Sequence, residues 1–338
     1  MTQPLNLITD IAGLKVGHAH DARAATGVTV VLIEPDNVAS GVTRGGAPGS
    51  RDTALLEPEM TRQSIDAVVL SGGSLFGLDA AGGVVNLLRE RGVGFKIGPV
   101  NIPIAVQAIT FDLINGGDKA WGRKPPYWDL GWQATEAART GPFALGSVGG
   151  GYGVTTATLK GGVGSASVKT PSGFTVGALV VVNAVGTATI GDGPHFWAAP
   201  YEVGSEFGGR GLPSKITPDD LKLRMKGGGP PSTTIALVAT DAIMTKAEAK
   251  RIAHMADDGL ARAIRPAHAP MDGDTVITVA TLAKPMTHPA HLTEIGMAAG
   301  DCLARAIARG VYEATALPVA GAHGQLAAWR DRFGAQRP

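Results

Sequence analysis

One cysteine, Cys302, occurs in 338 residues, so no internal disulfide braces this chain. Its place in an Ala-rich helical stretch marks it as core packing, and such sparing use suits a reducing compartment. Aromatic residues make up only 5%, too few for a base-stacking surface. Charge of one sign is missing too. Thirty Lys and Arg balance twenty-nine Asp and Glu, the net charge is +1, and no basic run occurs, which excludes nucleic acid as an expected partner. There is no run of about 18 apolar residues, and Met1 to Asp10 lacks the basic start and apolar stretch of a secretory leader. No membrane span is therefore expected, and the cytoplasm is the expected location. Neither H-E-x-x-H nor a Cys/His cluster is present; His18 and His20, like His288 and His291, carry chance spacings, so no metal is expected. The G-x-S-x-G elbow of α/β-hydrolases and the phosphate-binding G-x-G-x-x-G and Walker lysine are also missing, so no nucleotide cofactor is expected.

What the chain has in excess is glycine. There are 48, against an average usage of about 7%, without a collagen period, and 44% of the residues are hydrophobic, enough for a large core. Short β-branched runs at Val28–Ile33, Asp66–Leu70, Phe174–Val182, Thr233–Thr240 and Asp274–Ala280 predict buried strands. Leu75–Arg89 has the composition of a helix lying on a sheet. Thr245-Lys-Ala-Glu248 fits a capping box, followed by Ile252, Ala256, Leu260 and Ile264 at helical spacing. A last helix over Leu292–Ala308 places Ile295, Ala299, Leu303 and Ile307 on one face. Residues 92–146 read as loops and pocket walls carrying Trp121, Trp128 and Trp132, and a charged helical piece is expected after Lys215. Strand, helix, strand, helix after Thr233 suits helices layered on a sheet.

The most informative stretch is Gly227-Gly-Gly-Pro-Pro-Ser-Thr-Thr, a flexible and then stiff linker that runs directly into a strand. An unactivated threonine hydroxyl is a poor nucleophile. Scission of the Ser232–Thr233 bond would give Thr233 a free α-amine, whose pKa of about 7.7–8.0 lets it take the proton of its own hydroxyl. Met271-Asp-Gly-Asp-Thr275 places Asp272 and Asp274 around a glycine just before a strand: an ordinary turn, or a pair that holds an ammonium group, shares a proton or binds a hard cation. Lys160 is alone in an uncharged glycine-rich stretch, either as a surface side chain or as a stabiliser of an oxyanion. Asn183 ends a wholly apolar strand, where it either caps a turn or donates its amide to an oxyanion.

Together these pieces resemble peptidase family S58, the self-processing aminopeptidases of the DmpA type, which include β-peptidyl aminopeptidases and nylon-oligomer endohydrolases. The resemblance runs through Ile8-Thr-Asp-Ile-Ala-Gly-Leu-Lys-Val-Gly-His18, Arg44-Gly-Gly-Ala-Pro-Gly-Ser-Arg51, Leu70-Ser-Gly-Gly-Ser-Leu-Phe-Gly77, Leu159-Lys-Gly-Gly-Val-Gly164, Val182-Asn183, Thr233-Thr-Ile with Ala239-Thr-Asp241, and Ile264-Arg-Pro-Ala-His268 with Met271-Asp-Gly-Asp-Thr275. It implies one catalytic domain over 1–338 in a four-layer α/β/β/α sandwich of the DmpA/ornithine acetyltransferase-like type, cut before Thr233 into fragments 1–232 and 233–338. It further implies Thr233 as nucleophile, Lys160 and Asn183 beside it, and Asp272 and Asp274 as the aspartate pair of the nylon-hydrolysing members. Ser232 stands where threonine-type relatives often have Asn. The implied substrate is a small peptide or amide with a free amino end, α-, β-, D- or ω-amino, and the implied assembly is a homo-oligomer, a tetramer of fragment pairs. Two other outcomes stay open: an amine-accepting acyltransferase of ornithine acetyltransferase type, whose Lys-Gly-Ser-Gly and Ala-Thr-Met runs are missing here, and an uncleaved binding protein.

Overall fold

A computed structural model describes residues 3–227, 232–321 and 324–334. Ten strands form two five-stranded sheets. The first contains β1 (Leu14–Asp21), β2 (Thr26–Ile33), β4 (Ser50–Arg51), β5 (Ala67–Ser71) and β8 (Ala105–Ile109) in the order β1-β2-β5-β8-β4. The second contains β3 (Val38–Thr43), β9 (Val163–Lys169), β10 (Thr175–Asn183), β11 (Thr233–Ile243) and β12 (Thr275–Pro285) in the order β3-β12-β11-β10-β9. Pairing is antiparallel except for β5 with β8 and β11 with β12. A small hairpin, β6 (Phe95–Ile97) with β7 (Val100–Ile102), stands apart.

The period-2 geometry of the strands sorts their side chains into three apolar layers. Val31 of β2, Val68 of β5, Leu179 and Val181 of β10, and Ile235, Leu237 and Ala239 of β11 meet between the sheets. Val28, Val30 and Val69 face the opposite way, onto α1 (Ala80–Glu90) and α2 (Tyr127–Ala137). Val180, Val182, Ala236 and Val238 face α3 (Lys246–Ala263) and α4 (Ala290–Tyr312), beside which the short α5 (Trp329–Phe333) lies. The architecture is the expected α/β/β/α sandwich. Because both faces of the central strands are covered, their sequences read as continuous apolar runs.

The capping box of α3 is formed. The Glu248 N–H donates to Thr245 Oγ1 at 3.3 Å, and the Thr245 N–H donates to Glu248 Oε2 at 2.7 Å. Gly259 lets α3 and α4 touch, since a Cβ there would stand 2.5 Å from the Gly300 carbonyl oxygen.

Three expectations need correction. Residues 92–146 contain not only loops but strand β8 and helix α2. Gln107 breaks the apolar signal of β8, yet it is fully buried, its Nε2 donating to Ser71 Oγ at 2.8 Å and to the Gly77 carbonyl. The segment after Lys215 forms turns and no helix, because Leu221, Leu223 and Met225 are exposed and no apolar stripe is buried to hold one. The helix expected from Leu75 begins as a 3₁₀ turn over Ser74–Asp79 and becomes α-helical at Ala80. Strands β1 and β3 went unread, the first because Lys15, His18 and His20 interrupt its pattern. Among the described residues no helix is long and apolar enough to cross a membrane, and no group of His, Cys, Asp or Glu is arranged to hold a metal ion.

Candidate active site

Three strand ends meet at one point of the second sheet. Thr233 opens β11, Asn183 closes β10, and the two are direct register partners. Strand β12 begins at Thr275, immediately after the Asp-Gly-Asp turn, and Ser232 bridges to Asp272 in parallel fashion. Strand pairing thus brings Thr233, Asn183, Asp272 and Asp274 together, although they lie far apart in sequence.

The Ser232–Thr233 peptide is held by that turn. The Ser232 N–H donates to the Met271 carbonyl at 3.3 Å, and the Gly273 N–H donates to the Ser232 carbonyl oxygen at 3.0 Å. The Thr233 hydroxyl donates to the same Ser232 oxygen. One residue further, the Thr234 N–H donates to Asp274 Oδ1 at 2.8 Å. Only glycine fits at 273: a Cβ would stand 2.8 Å from Thr233 Oγ1 and 3.0 Å from both the Ala47 oxygen and Pro48 Cα. The segment after Arg44 supports the turn from behind, with the Ala47 N–H donating to the Asp272 carbonyl at 2.7 Å and the Arg44 N–H to the Asp274 carbonyl at 3.0 Å.

The two aspartates sit in different surroundings. Asp272 Oδ2 accepts from the Ala269 N–H at 3.0 Å, while its buried Oδ1 has no hydrogen-bond partner among the described residues. Burial, and then the neighbouring Asp274, pushes the Asp272 carboxyl up to about 7, against the pull of Lys226 and His268. Asp274 Oδ2 accepts from the His268 N–H at 2.9 Å. The His268 ring lies between two carboxylates, Nε2 at 3.3 Å from Asp257 and Nδ1 at 3.1 Å from Asp274. Neither ring nitrogen is aligned for a directed hydrogen bond, so the pairing is mainly one of charge. Asp257, and then Asp274, pushes the imidazole up to about 10.

Two lysines lie buried close by. Lys160, read from sequence as either surface or catalytic, is 1% exposed; its Nζ donates to the Gly151 carbonyl at 2.9 Å and the Gly161 carbonyl at 2.8 Å. Burial lowers its pKa to about 7; Asp112 opposes the shift and Lys226 adds to it. Lys226 donates to Asn183 Oδ1 at 2.9 Å and to the Asn183 carbonyl at 3.3 Å, and burial lowers it to about 7 as well, against the attraction of Asp272. Asn183 Oδ1 also accepts from the Thr155 N–H at 3.1 Å, and its Nδ2 donates to the Phe111 carbonyl at 3.0 Å, leaving one amide hydrogen. Lys160 therefore joins the cluster at one remove, through Lys226, rather than touching Thr233.

Sequence reasoning missed Lys226 and gave His268 no role. Nothing in the sequence singled out Lys226, the last basic residue of Lys222-Leu-Arg-Met-Lys226 at the mouth of the linker. The remaining linker residues, 228–231, lie outside the described residues. Both buried lysines line a cavity of 250 Å³, together with Thr155 and the segment around Leu317 and Gln325. Taken together, the cluster holds a hydroxyl and a hydrogen-bonded peptide carbonyl in contact, with a buried carboxyl and two buried amines around them. Those are the parts of an acyl-transfer site.

Comparison with known proteins points the same way. The sequence profile of peptidase family S58 matches residues 6–326. An "uncharacterized aminopeptidase" of Mycobacterium tuberculosis (strain ATCC 25618 / H37Rv) is 42% identical over 351 residues, covering 97% of this chain and 98% of the relative. A 6-aminohexanoate-oligomer endohydrolase of a Kocuria species is 27% identical over 282 residues, covering 80% and 74%. Among solved structures, a Burkholderia beta-aminopeptidase superposes with a TM-score of 0.72 at 23% identity, over 100% of this chain and 96% of the other. The L-aminopeptidase D-Ala-esterase/amidase of Ochrobactrum anthropi, described as a variant of the Ntn hydrolase fold, gives 0.70 at 21% identity, over 99% and 96%. At such identities these two structures establish the fold alone.

Proposed function

Because this chain belongs to peptidase family S58 and is thereby a hydrolase, we propose that it is an aminopeptidase that cuts itself before Thr233 and then uses the exposed threonine as its nucleophile. The observation that carries this reading is the grip on one carbonyl: the Ser232 oxygen takes both the Gly273 N–H and the Thr233 hydroxyl.

In the uncut chain the Thr233 nitrogen is an amide and cannot act as a base. Asp272 Oδ1, buried and unpartnered among the described residues, with its pKa near 7, is the acceptor for the hydroxyl proton. Thr233 Oγ1 attacks the Ser232 carbonyl carbon, the developing oxyanion rests on the Gly273 N–H, and the peptide C–N bond breaks with the proton delivered to nitrogen. Water then hydrolyses the resulting ester to a Ser232 carboxylate and a free Thr233. Fragments 1–232 and 233–338 stay together because the ladders of β11 with β10 and of β12 with β3 join them.

The freed α-amine takes the Thr233 hydroxyl proton during attack on substrate, the remaining Asn183 amide hydrogen is the direct donor to the oxyanion while Lys160 contributes only its charge from one remove, and Asp272 and Asp274 orient the amine. The substrate class is an amide or short peptide with a free amino end, including β-peptides and 6-aminohexanoate oligomers, the latter named for a relative. We place the enzyme in the cytoplasm as a tetramer of fragment pairs, a mass that light scattering reads directly.

Incubation with a panel of α-, β- and ω-amino amides, read by product mass, tests the reading. Hydrolysis by the wild type and none by Thr233→Ala are expected. Equal hydrolysis by both would overturn it, and transfer of the acyl group to added amines in preference to water would make the protein an acyltransferase.

A further inference from the structure

We propose that the 250 Å³ cavity lined by Lys160 and Lys226 receives a carboxylate carried by the substrate, so that short peptides with a free C-terminal carboxylate are preferred over the same peptides ending in an amide. The inference rests on the reading of Thr233 as nucleophile and adds to it the chemistry of the substrate's far end.

The charge in the cavity lining is of one sign. Lys160 and Lys226 are the only ionisable residues among its described lining; none of that lining is acidic, and Ile114, Leu317, Val319 and Leu326 supply apolar walls. An ammonium carries three N–H donors. Lys160 spends two on the Gly151 and Gly161 carbonyls, and Lys226 spends two on Asn183. Each thus keeps one N–H for which no described protein atom is an acceptor. The carboxylates that act on these amines make no hydrogen bond to them: Asp112, acting on Lys160, accepts from the Thr26 hydroxyl at 2.6 Å and the Gly73 N–H at 2.8 Å, and Asp272, acting on Lys226, accepts from the Ala269 N–H at 3.0 Å.

Two neighbouring buried amines repel one another when charged, and a ligand carboxylate placed between them satisfies both spare donors and offsets that repulsion. A substrate ammonium would meet the opposite field, so the amino end of the substrate points away from this cavity. Its volume is below the roughly 300–1,000 Å³ usual for drug-sized ligands, which restricts it to a short end of one or two residues. The cavity is tied to the reacting centre through one residue. Lys226 holds Asn183, and Asn183 is the register partner of Thr233, an antiparallel pair whose Cα atoms stand about 4.5–5.5 Å apart.

The test uses matched dipeptides with α-, β- and ω-amino acyl groups, each as the free acid and as the C-terminal amide. Wild-type enzyme is expected to show kcat/KM at least tenfold higher for the acid in every pair it cleaves, and Lys226→Met to lose most of that ratio. Amides cleaved as well as acids, or a ratio unchanged in Lys226→Met, would overturn the proposal. A second measurement does not depend on turnover or on the fate of that variant. Calorimetric titration of the same pairs into uncut Thr233→Ala protein is expected to give tighter binding of the acid, and equal binding of acid and amide overturns the carboxylate site. If wild type hydrolyses none of the panel, the nucleophile reading fails, and the titration still decides the cavity.

Discussion

Replacing Gly273 with alanine perturbs the proposed self-cleavage at its narrowest point. The added methyl would stand 2.8 Å from Thr233 Oγ1, well inside van der Waals contact, and 3.0 Å from the Ala47 oxygen and Pro48 Cα, so something around it must shift. Either the threonine oxygen leaves the Ser232 carbonyl or the 3.0 Å bond from the Gly273 N–H to that carbonyl is stretched. Reactive geometry requires the attacking atoms at about 3–3.5 Å, and loss of one oxyanion donor slows acyl transfer by about 10²–10³. Glycine is not needed here for its backbone freedom, since no left-handed φ occurs at 273, so the variant is expected to fold. Intact mass followed over time should show full-length Gly273→Ala chain persisting at least a hundredfold longer than wild type, with a thermal transition that is lowered but still cooperative. A variant cut as fast as wild type would refute the assignment of Gly273 as donor to the scissile carbonyl.

Further expectations follow from the charges and the core. His268, raised to about 10 from an ordinary value of about 6.5, stabilises the fold fully below about pH 6.5 and progressively less as pH rises through 10; denaturant midpoints across that range should fall in wild type and stay flatter in His268→Gln. The same variant removes a counter-charge from the fully buried Asp257, leaving Arg44 at 3.3 Å, and should cost about 3–5 kcal/mol by denaturant titration. Lys226→Met takes a cation from the vicinity of Asp272, so the acid limb of self-cleavage, expected near pH 7, should move to higher pH in a series of cleavage rates. Leu260→Ala, fully buried between α3 and the second sheet, should cost about 2–5 kcal/mol in the same titration without altering the cleavage site.

The core of the sandwich was legible because its central strands are apolar on both faces and because α3 and α4 carry their burial at helical spacing. Thr245 and Glu248 announced the start of α3 through local hydrogen bonds alone. Elements whose burial depends on distant partners were not legible: Gln107 in β8 is polar but satisfied by Ser71 and Gly77, and Leu221 and Leu223 imitate a helix that nothing packs against. The same holds at the site. Thr233, Asn183, Asp272 and Asp274 stood out as residues, but their convergence arises from strand register, which no short stretch of sequence encodes. Lys226 was missed because its meaning comes from burial against Asn183 and Lys160. The contact of the Gly273 N–H with the Ser232 carbonyl is a backbone contact, invisible to residue type.

The central claim is that the chain activates itself at one bond. Amino-terminal sequencing together with intact mass of the purified, active wild-type protein tests it most directly. Two fragments are predicted, the smaller beginning Thr-Thr-Ile-Ala-Leu, with activity rising in step with their appearance. Full activity in a single uncut chain, or a smaller fragment that begins at any other residue, would contradict the account.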